Sequence, residues 1–370
     1  MGRSVGLPRM HQEKGERRAF LPSLVAWLEA AGVDEIVLEE GYGDELGFSR
    51  EAYERASARV RWASELECYD QDLVVVLRCP DEATLAALRP GSVFVSMLHF
   101  ATRPGRAALL RDRGVHAVSL DAILDERGRR TVENLEITAW TGVREAFRRI
   151  RERHPRFDHP SRRPLHVTCL GSGAVGGYAV HAATRYGDAK LRESLVANDV
   201  PGVEVTVVDF DLTWHADYML SRLETTDLLI DATHRADPSR PVVANTLLAA
   251  LPEDAVILDL AADPYALDAT PPLTKGIEGI PHGDLDAWAF PIDDPAWDAI
   301  DPRVETTNRR LALSCNAWPG LEPLESMRAY GAQIEPVLRV ILQKPPDSWD
   351  PLGPDHEERA VARAEVSRWT

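Results

Sequence analysis

The sequence lacks several features that would place it in other classes of protein. None of its apolar runs approaches the ~20 residues that a helix needs to cross a bilayer. No long apolar stretch follows its first residues, so we expect no secretory signal. It contains only four cysteines, and no two of them form a CxxC pair. We therefore expect reduced thiols, no metal site and a cytoplasmic location.

Positive charge is also scarce. The chain has 42 Lys and Arg residues against 59 Asp and Glu residues, which gives a formal net charge of −17. A protein of this sign repels phosphate backbones, so we expect no nucleic-acid partner. An anionic small molecule can bind only where local Arg or Lys residues overcome the overall field. The length of 370 residues is sufficient for two ordinary domains.

Strand-like and helix-like segments alternate along most of the chain. The continuous aliphatic run at residues 73–77 is typical of a buried parallel strand, and residues 93–98 predict another buried strand. Further strands are predicted at residues 35–39, 165–170, 203–208, 228–231 and 256–260. Helical periodicity predicts helices between them, including one at residues 53–64. This alternation predicts an α/β fold with two Rossmann-like domains, whose parallel sheets are separated by a cleft.

A glycine-rich motif follows one of the predicted strands and precedes a predicted helix. The residues that fit the pattern GxGxxG are Gly171, Ser172, Gly173, Ala174, Val175 and Gly176. The first glycine permits a tight turn, the second lets the backbone approach a pyrophosphate, and the third lets helix and strand pack closely. The motif predicts a dinucleotide site at the helix N-terminus. The alternative is a glycine turn in a non-binding α/β domain.

The strand predicted at residues 203–208 ends at Asp209. A carboxylate there can accept hydrogen bonds from the ribose hydroxyls of adenosine and would repel a 2′-phosphate, so NAD is predicted over NADP. The spacing from Gly176 is longer than the usual ~20 residues, which we attribute to an insertion around residues 188–201. The alternative is that Asp209 is an ordinary turn residue at the end of a strand.

Short segments along the chain match, in order, the motifs of one known family. They are Gly6-Leu7-Pro8-Arg9 with residues 13–22, the glycine-containing residues 41–49, the strands near residues 72–80 and 94–99, Leu258-Asp259-Leu260-Ala261-Ala262-Asp263, and Trp318-Pro319-Gly320 with Pro323. Together they resemble the alanine dehydrogenase and lysine-forming saccharopine dehydrogenase family. The resemblance implies an enzyme that uses NAD to oxidise the C–N bond of an amino acid.

The resemblance also implies a division of the chain. Residues 1–140, with a return segment at residues 308–345, would form the catalytic and substrate domain. Residues 141–307 would form the NAD-binding Rossmann domain, because three prolines within residues 154–164 interrupt the chain before the second series of strands and helices. Residues 346–370 would be a polar C-terminal tail with a weak helix. A homo-oligomer is left open.

Four side chains fall on positions of the family's active site. Arg17 suits a substrate carboxylate, because a guanidinium pairs with it bidentately. His99 falls on the catalytic histidine, and an imidazole exchanges protons near neutral pH. Asp263 falls on an acid near the nicotinamide. Arg78 replaces a lysine, and a guanidinium can hold an oxygen but cannot act as a base. The ordinary alternatives are a surface residue for Arg17, a core residue for His99 and a loop cap for Asp263.

One further segment favours the saccharopine branch. Residues 125–130 resemble its D-x-x-G-R-R segment, in which paired arginines, here Arg129 and Arg130, help to hold the dicarboxylate end of the substrate. This predicts an enzyme that releases L-lysine and 2-oxoglutarate. The alternatives are an alanine dehydrogenase, an opine-type reductive synthase similar to carboxyethylornithine synthase, and a non-catalytic NAD-binding regulator. The two arginines could equally lie at a solvated helix start.

Overall fold

The computed structural model describes residues 3–101 and 103–369. Its strands form two six-stranded sheets. The chain divides into two compact units, one comprising Met1–Asn134 with Pro323–Thr370 and the other Leu135–Glu322. Each unit contains one of the sheets, so each has its own hydrophobic core.

The first sheet is entirely parallel. Its strands are β1 (Ser4–Leu7), β2 (Glu35–Glu39), β3 (Val60–Ala63), β4 (Leu73–Arg78), β5 (Val93–Met97) and β6 (His116–Ser119). They lie in the order β3-β2-β1-β4-β5-β6, and each neighbouring pair is parallel. The strand order reverses between β1 and β4, because the chain builds outward from β1 on one side and then returns to the other.

The second sheet has the same design with one antiparallel edge. Its strands are β7 (Leu165–Leu170), β8 (Val203–Val208), β9 (Leu228–Asp231), β10 (Val256–Asp259), β11 (Ala289–Phe290) and β12 (Leu311–Ser314). They lie in the order β11-β12-β10-β9-β7-β8, and only β11 runs against its neighbour. Here the order reverses around β7, which has β8 on one side and β9 on the other.

Helices supply the crossovers that parallel strands require. They are α1 (Pro22–Ala30), α2 (Arg50–Ala56), α3 (Glu65–Tyr69), α4 (Glu82–Ala87), α5 (Pro104–Asp112), α6 (Leu135–Arg153), α7 (Ala174–Ala183), α8 (Ala189–Ala197), α9 (Phe210–Thr213), α10 (Ala216–Leu223), α11 (Pro323–Gln343) and α12 (His356–Ala364). Within the described residues, no helix combines the length and the apolar character that crossing a bilayer would need.

The predicted α/β fold with two parallel, Rossmann-like sheets is confirmed. The strands predicted at residues 35–39, 165–170, 203–208 and 228–231 have the same bounds in the structure. The helix predicted at residues 53–64 is correct only up to Ala56, where α2 ends; the rest is wrong, because β3 follows. Ile36 and Leu38 of β2 pair with Val60 and Trp62, so pairing with an existing sheet outweighs the helical periodicity.

The last two helices complete the core of the first unit. Leu338 of α11 and Val361 of α12 are buried in the same cluster as Leu38 and Val75 of the sheet. Residues 346–370, expected to be a polar tail, therefore contain a helix with one buried apolar face. The segment expected to return to the first domain is also divided, because β12 pairs with β10 in the second sheet and only α11 packs in the first unit.

The burial of α12 leads to a stability prediction. Val361→Ala removes two buried carbons, so it should lower the free energy of unfolding by about 1.5–3 kcal/mol. Urea unfolding followed by circular dichroism measures this as a lower midpoint. Leu352→Ala is the control, because Leu352 lies in the same segment but is 86% exposed, and its midpoint should stay unchanged. Equal midpoints for both variants would contradict the packing of α12 in the core.

Candidate functional site

The glycine-rich loop connects β7 to α7 in a backbone form that needs glycine. Gly171 has a φ of 92°, in the left-handed region, and a Cβ there would lie 2.8 Å from the carbonyl oxygen of Ala232. A Cβ on Gly176 would lie 2.1 Å from the carbonyl oxygen of Gly171. At Gly173, in contrast, a Cβ would meet no described atom within 4 Å. The loop is therefore tight at both ends and open in the middle.

The open position lies at the start of a helix. Gly173 is the N-cap residue of α7, and among the described residues no side chain caps this helix. The first N–H groups of a helix have no partners within the helix, and its dipole adds partial positive charge. Ser172 and Ala174 beside them are exposed. An uncapped helix start with an open glycine fits the pyrophosphate of a dinucleotide.

Asp209 lies next to this loop. β8 runs parallel to β7, so the two strands end side by side, with Leu170 paired with Val208. The Asp209 carboxylate accepts hydrogen bonds from the Ser172 hydroxyl and from the backbone N–H of Phe210. These two bonds hold the pKa of Asp209 below its ordinary value. The structure therefore brings together the two features that the sequence analysis assigned to cofactor binding.

A buried polar group lies at the ends of the neighbouring strands. Asp231 of β9, Asp259 of β10 and Ser314 of β12 occupy the same rung of the sheet, because Asp259 is paired with both of the others. Lys275, from the loop after β10, donates to Asp259 Oδ2 at 2.6 Å and to Ser314 Oγ at 3.1 Å. All four are buried, and Lys275 is only 1% exposed. We call these four residues the sheet-end cluster. The sequence analysis did not assign a role to any of them.

The two carboxylates of the sheet-end cluster differ in charge. Burial raises the pKa of Asp259, but the Lys275 ammonium outweighs it and holds that pKa below its ordinary value. Removing one partner of such a buried pair costs about 3–5 kcal/mol, because the other charge is left unpaired. Burial also raises the pKa of Asp231, and the negative charge of Asp259 raises it further, to about 6.

Asp263, the acid expected near the nicotinamide, already has a cationic partner. Its Oδ2 lies 2.7 Å from Nη2 of Arg235. The Arg235 side chain is buried and also donates to the carbonyl oxygens of Arg240 and Thr274. The Arg235 guanidinium therefore fixes the position of Asp263. The catalytic role of Asp263 stays a prediction.

In the first unit, His99 has an unusual backbone. It follows β5, and its φ of 53° is in the left-handed region, which is uncommon for a residue other than glycine. Its backbone N–H donates to Asp121 Oδ1 at 3.0 Å, and its ring Nδ1 lies 3.3 Å from Asp121 Oδ2. One carboxylate thus holds both the main chain and the ring of His99. Backbone strain of this kind is concentrated at functional sites.

Asp121 is a site residue that the sequence analysis missed. It follows β6, which is parallel to β5, and it also accepts a hydrogen bond of 2.7 Å from Ser119 Oγ. Burial alone would raise the pKa of Asp121, but the bonds from His99 and Ser119 hold it well below the usual range. An ionised Asp121 accepts a hydrogen bond from Nδ1–H of His99 and leaves Nε2 for proton exchange.

The two arginines of the N-terminal motif, Arg17 and Arg18, differ in their exposure to solvent. Arg18 is buried and forms an ion pair with Glu16, with Nη2 and Oε2 2.6 Å apart. Arg17 is exposed. Arg17 is therefore the member of the pair whose guanidinium is accessible to a dissolved carboxylate.

Arg78 lies where the strand order of the first sheet reverses. It ends β4, beside β1, and its Nη2 lies 2.6 Å from Glu13 Oε2. Both residues line a small crevice in this unit, together with Met10, His11 and Tyr69. The positive charge at the position of the family lysine is thus partly balanced by a carboxylate of the same chain.

Arg129 and Arg130 lie on an exposed turn of the first unit. The turn brings Leu124 and Arg130 into a β-bridge, and Asp125 lies at its start. Arg129 pairs with Asp125, with a distance of 2.8 Å between Nη2 and Oδ2, and its side chain is 70% exposed. The role of Arg129 and Arg130 in substrate binding stays a prediction.

Comparisons with known proteins match the first unit most clearly. Residues 6–139 match the family model for the alanine dehydrogenase/PNT N-terminal domain. Over 123 residues the chain is 30% identical to alanine dehydrogenase of Bacillus subtilis (strain 168). The matched stretch covers 33% of this chain and 32% of that protein. Over 119 residues it is 30% identical to NAD(P) transhydrogenase subunit alpha of Cereibacter sphaeroides, covering 32% and 23%. The chain thus spans about a third or less of these relatives.

Two solved structures are similar over nearly the whole chain. The superposition with an L-alanine dehydrogenase covers 98% of this chain and 94% of that chain, with a TM-score of 0.71 and 18% identity. A transhydrogenase from Sinorhizobium meliloti covers 92% and 94%, with a TM-score of 0.62 and 14% identity. At these identities the likeness concerns the fold alone. The sequence match is the narrower finding: residues 6–139 of this chain are similar to the alanine dehydrogenase/PNT N-terminal domain.

Proposed function

We propose that this chain is an NAD-dependent dehydrogenase that acts on the C–N bond of an amino acid, as an alanine dehydrogenase does. The observation that carries the proposal is the pair of His99 and Asp121, which lies at the strand ends of the family-matched domain. The glycine-rich loop of the second unit supports a dinucleotide as the partner. Both features are built from the carboxyl ends of parallel strands, where ligands of such sheets bind.

Each unit contributes different groups to this chemistry. A bound nicotinamide would supply the hydride acceptor. In the second unit, the N-terminus of α7 would hold the pyrophosphate and Asp209 the adenosine ribose. In the first unit, Arg17 would pair with the substrate carboxylate. His99 would take a proton at Nε2, while Asp121 stabilises the imidazolium that forms.

Arg78 restricts how protons are transferred in the first unit. A guanidinium stays charged at any physiological pH, so it cannot remove a proton from an amine. Its permanent charge lets Arg78 bind a carboxylate or a carbonyl oxygen instead, while the ion pair with Glu13 holds its side chain. We therefore assign proton transfer in this unit to His99.

The relatives support an alanine dehydrogenase better than a lysine-forming saccharopine dehydrogenase. The segment that favoured the saccharopine branch forms the exposed turn in which Asp125 holds Arg129. We therefore propose a small amino acid such as alanine, with the matching 2-keto acid, as the substrate pair. The reductive synthase and the non-catalytic NAD-binding protein are the alternatives that an assay separates.

The proposal is tested by following NADH consumption with pyruvate, 2-oxoglutarate or glyoxylate, each with ammonia or with lysine. Turnover with pyruvate and ammonia is the expected result. Turnover with 2-oxoglutarate and lysine would instead indicate the saccharopine type, and a product that joins lysine to pyruvate would indicate a reductive synthase. NADH binding without turnover of any pair would contradict an enzymatic function.

The position of Asp209 predicts a preference for NADH over NADPH. Asp209→Asn removes the charge that repels a 2′-phosphate and weakens the hydrogen bonds to the ribose. Because a hydrogen bond to a charged group is worth about 1.5–3 kcal/mol, the variant should lose about tenfold or more of the preference. Calorimetric titration of both dinucleotides measures it. Asp211→Asn, an exposed acid two residues later, is the control, and an unchanged preference in Asp209→Asn would refute the assignment.

The pair of His99 and Asp121 predicts the pH dependence of kcat/KM. His99→Gln should lower activity by about 10²–10⁴-fold and remove the acidic limb of the profile, where the base must be neutral. Asp121→Asn should lower kcat/KM, because a neutral amide no longer orients the ring or stabilises the imidazolium that forms during the reaction. Asp125→Asn, an acid of the exposed turn, is the control. If His99→Gln keeps the wild-type limb and rate, His99 is a packing residue and Asp263 is the next candidate.

A further inference from the structure

The sheet-end cluster takes no part in the chemistry proposed above. It contains three ionisable groups, of which Lys275 and Asp259 neutralise each other at 2.6 Å. The cluster is therefore neutral only while Asp231 carries a proton. An ionised Asp231 would give it a net charge of one negative unit in a fully buried place. Such a charge is unfavourable unless a positive charge lies nearby.

The two carboxylate oxygens of Asp231 differ in their hydrogen bonds. Its Oδ1 accepts hydrogen bonds from the backbone N–H and the hydroxyl of Thr233, at 3.0 and 2.7 Å. Its Oδ2 is buried and has no hydrogen-bond partner among the described residues. A Cβ on Gly276 would lie 2.1 Å from Oδ2, so the main chain closes directly over this oxygen. Within the part of the chain that the structure describes, no polar group hydrogen-bonds to a negative charge at Oδ2.

The other titratable groups around Asp231 do not fully balance a negative charge there, although the charge of Arg235 lowers the pKa of Asp231 in part. From β7, the Cys169 thiol faces it, and burial together with Asp231 raises the pKa of that thiol to about 12, so it stays neutral. From the loop after β9, Arg235 is positive, but it is already paired with Asp263. His282, beside Lys275, is neutral near pH 7, because burial and the Lys275 charge lower its pKa.

The second unit places this cluster on the side opposite to the adenosine site. Asp209 extends the loop site toward β8, whereas β9 and β10 lie on the other side of β7. A dinucleotide crosses the strand ends where the order reverses, so its second half extends over β9 and β10. The loop itself adjoins this region, because a Cβ on Gly171 would contact the carbonyl oxygen of Ala232, the residue after Asp231.

We propose that Asp231 senses the oxidation state of the cofactor through charge: at the acidic pH where the free chain holds this proton, binding of NAD⁺ releases it to the solvent and binding of NADH does not. The oxidised nicotinamide ring is a cation, and the reduced ring is neutral. An ionised Asp231 balances the charge of the oxidised ring, whereas the neutral reduced ring does not favour either form of the carboxyl group. The inference rests on the proposed function only for the binding of NAD(H) in the second unit.

The direction of the pH effect follows from this exchange. In the free chain, burial and the charge of Asp259 raise the pKa of Asp231 to about 6. A nearby cation lowers this pKa, so binding of NAD⁺ expels a proton at pH values below about 6. By linkage, the affinity for NAD⁺ rises with pH up to this value and then levels off, whereas the affinity for NADH does not.

The test compares the dissociation constants of NAD⁺ and NADH at pH 5.5 and pH 8. In the wild type, we expect the ratio of the two constants to change about threefold in favour of NAD⁺ at the higher pH. In Asp231→Asn the ratio should not change, because the amide resembles the protonated acid at every pH. Asp237→Asn, an exposed acid in the loop after β9, is the control and should keep the wild-type change.

Calorimetry in two buffers of different ionisation enthalpy provides a second measurement, which needs no variant. At pH 5.5, NAD⁺ should release a fraction of a proton and NADH none. Equal proton release for both dinucleotides, or a pH effect that persists in Asp231→Asn, overturns the inference. If neither dinucleotide binds, the proposed function fails with it. If both bind as expected but no amino acid is oxidised, only the proposed function fails.

Discussion

Parallel pairing brings the carboxyl ends of neighbouring strands to one edge of a sheet, and the chemistry of both units depends on this constraint. In the first unit that edge collects Arg78, His99 and Asp121 after three adjacent strands. In the second it collects the glycine-rich loop, Asp209 and the sheet-end cluster. Side chains that are far apart in the sequence become neighbours there, because register and strand order decide which residues meet.

Burial on both faces explains why many strands are predictable from the sequence. β7 and β9 are buried along most or all of their length, and both have their predicted bounds. β3 does not, because its first three residues are only partly buried and its four residues are too few to set a period. It is a strand because β2 offers an unpaired edge, and the sequence of β3 alone does not contain that information.

The candidate site divides in a similar way. The glycine-rich loop is a local motif between a strand and a helix, so the sequence identifies it. Asp121 is not predictable in this way, because its partner His99 belongs to a different strand end. Lys275 reaches Asp259 from a stretch whose composition indicates only a loop. The exposure of Arg17 and the burial of Arg18 also depend on packing, since the two side chains are chemically identical.

The first unit is encoded in two pieces, and this has a consequence for the newly made chain. Its sheet is complete at Asn134, but the core residues Leu338 and Val361 are translated only after the whole of the second unit. While the ribosome makes residues 135–322, the apolar face that α11 will cover stays in contact with water. An exposed apolar surface of this kind is bound by chaperones and favours aggregation. The second unit, although later in the sequence, is therefore the first that can finish folding.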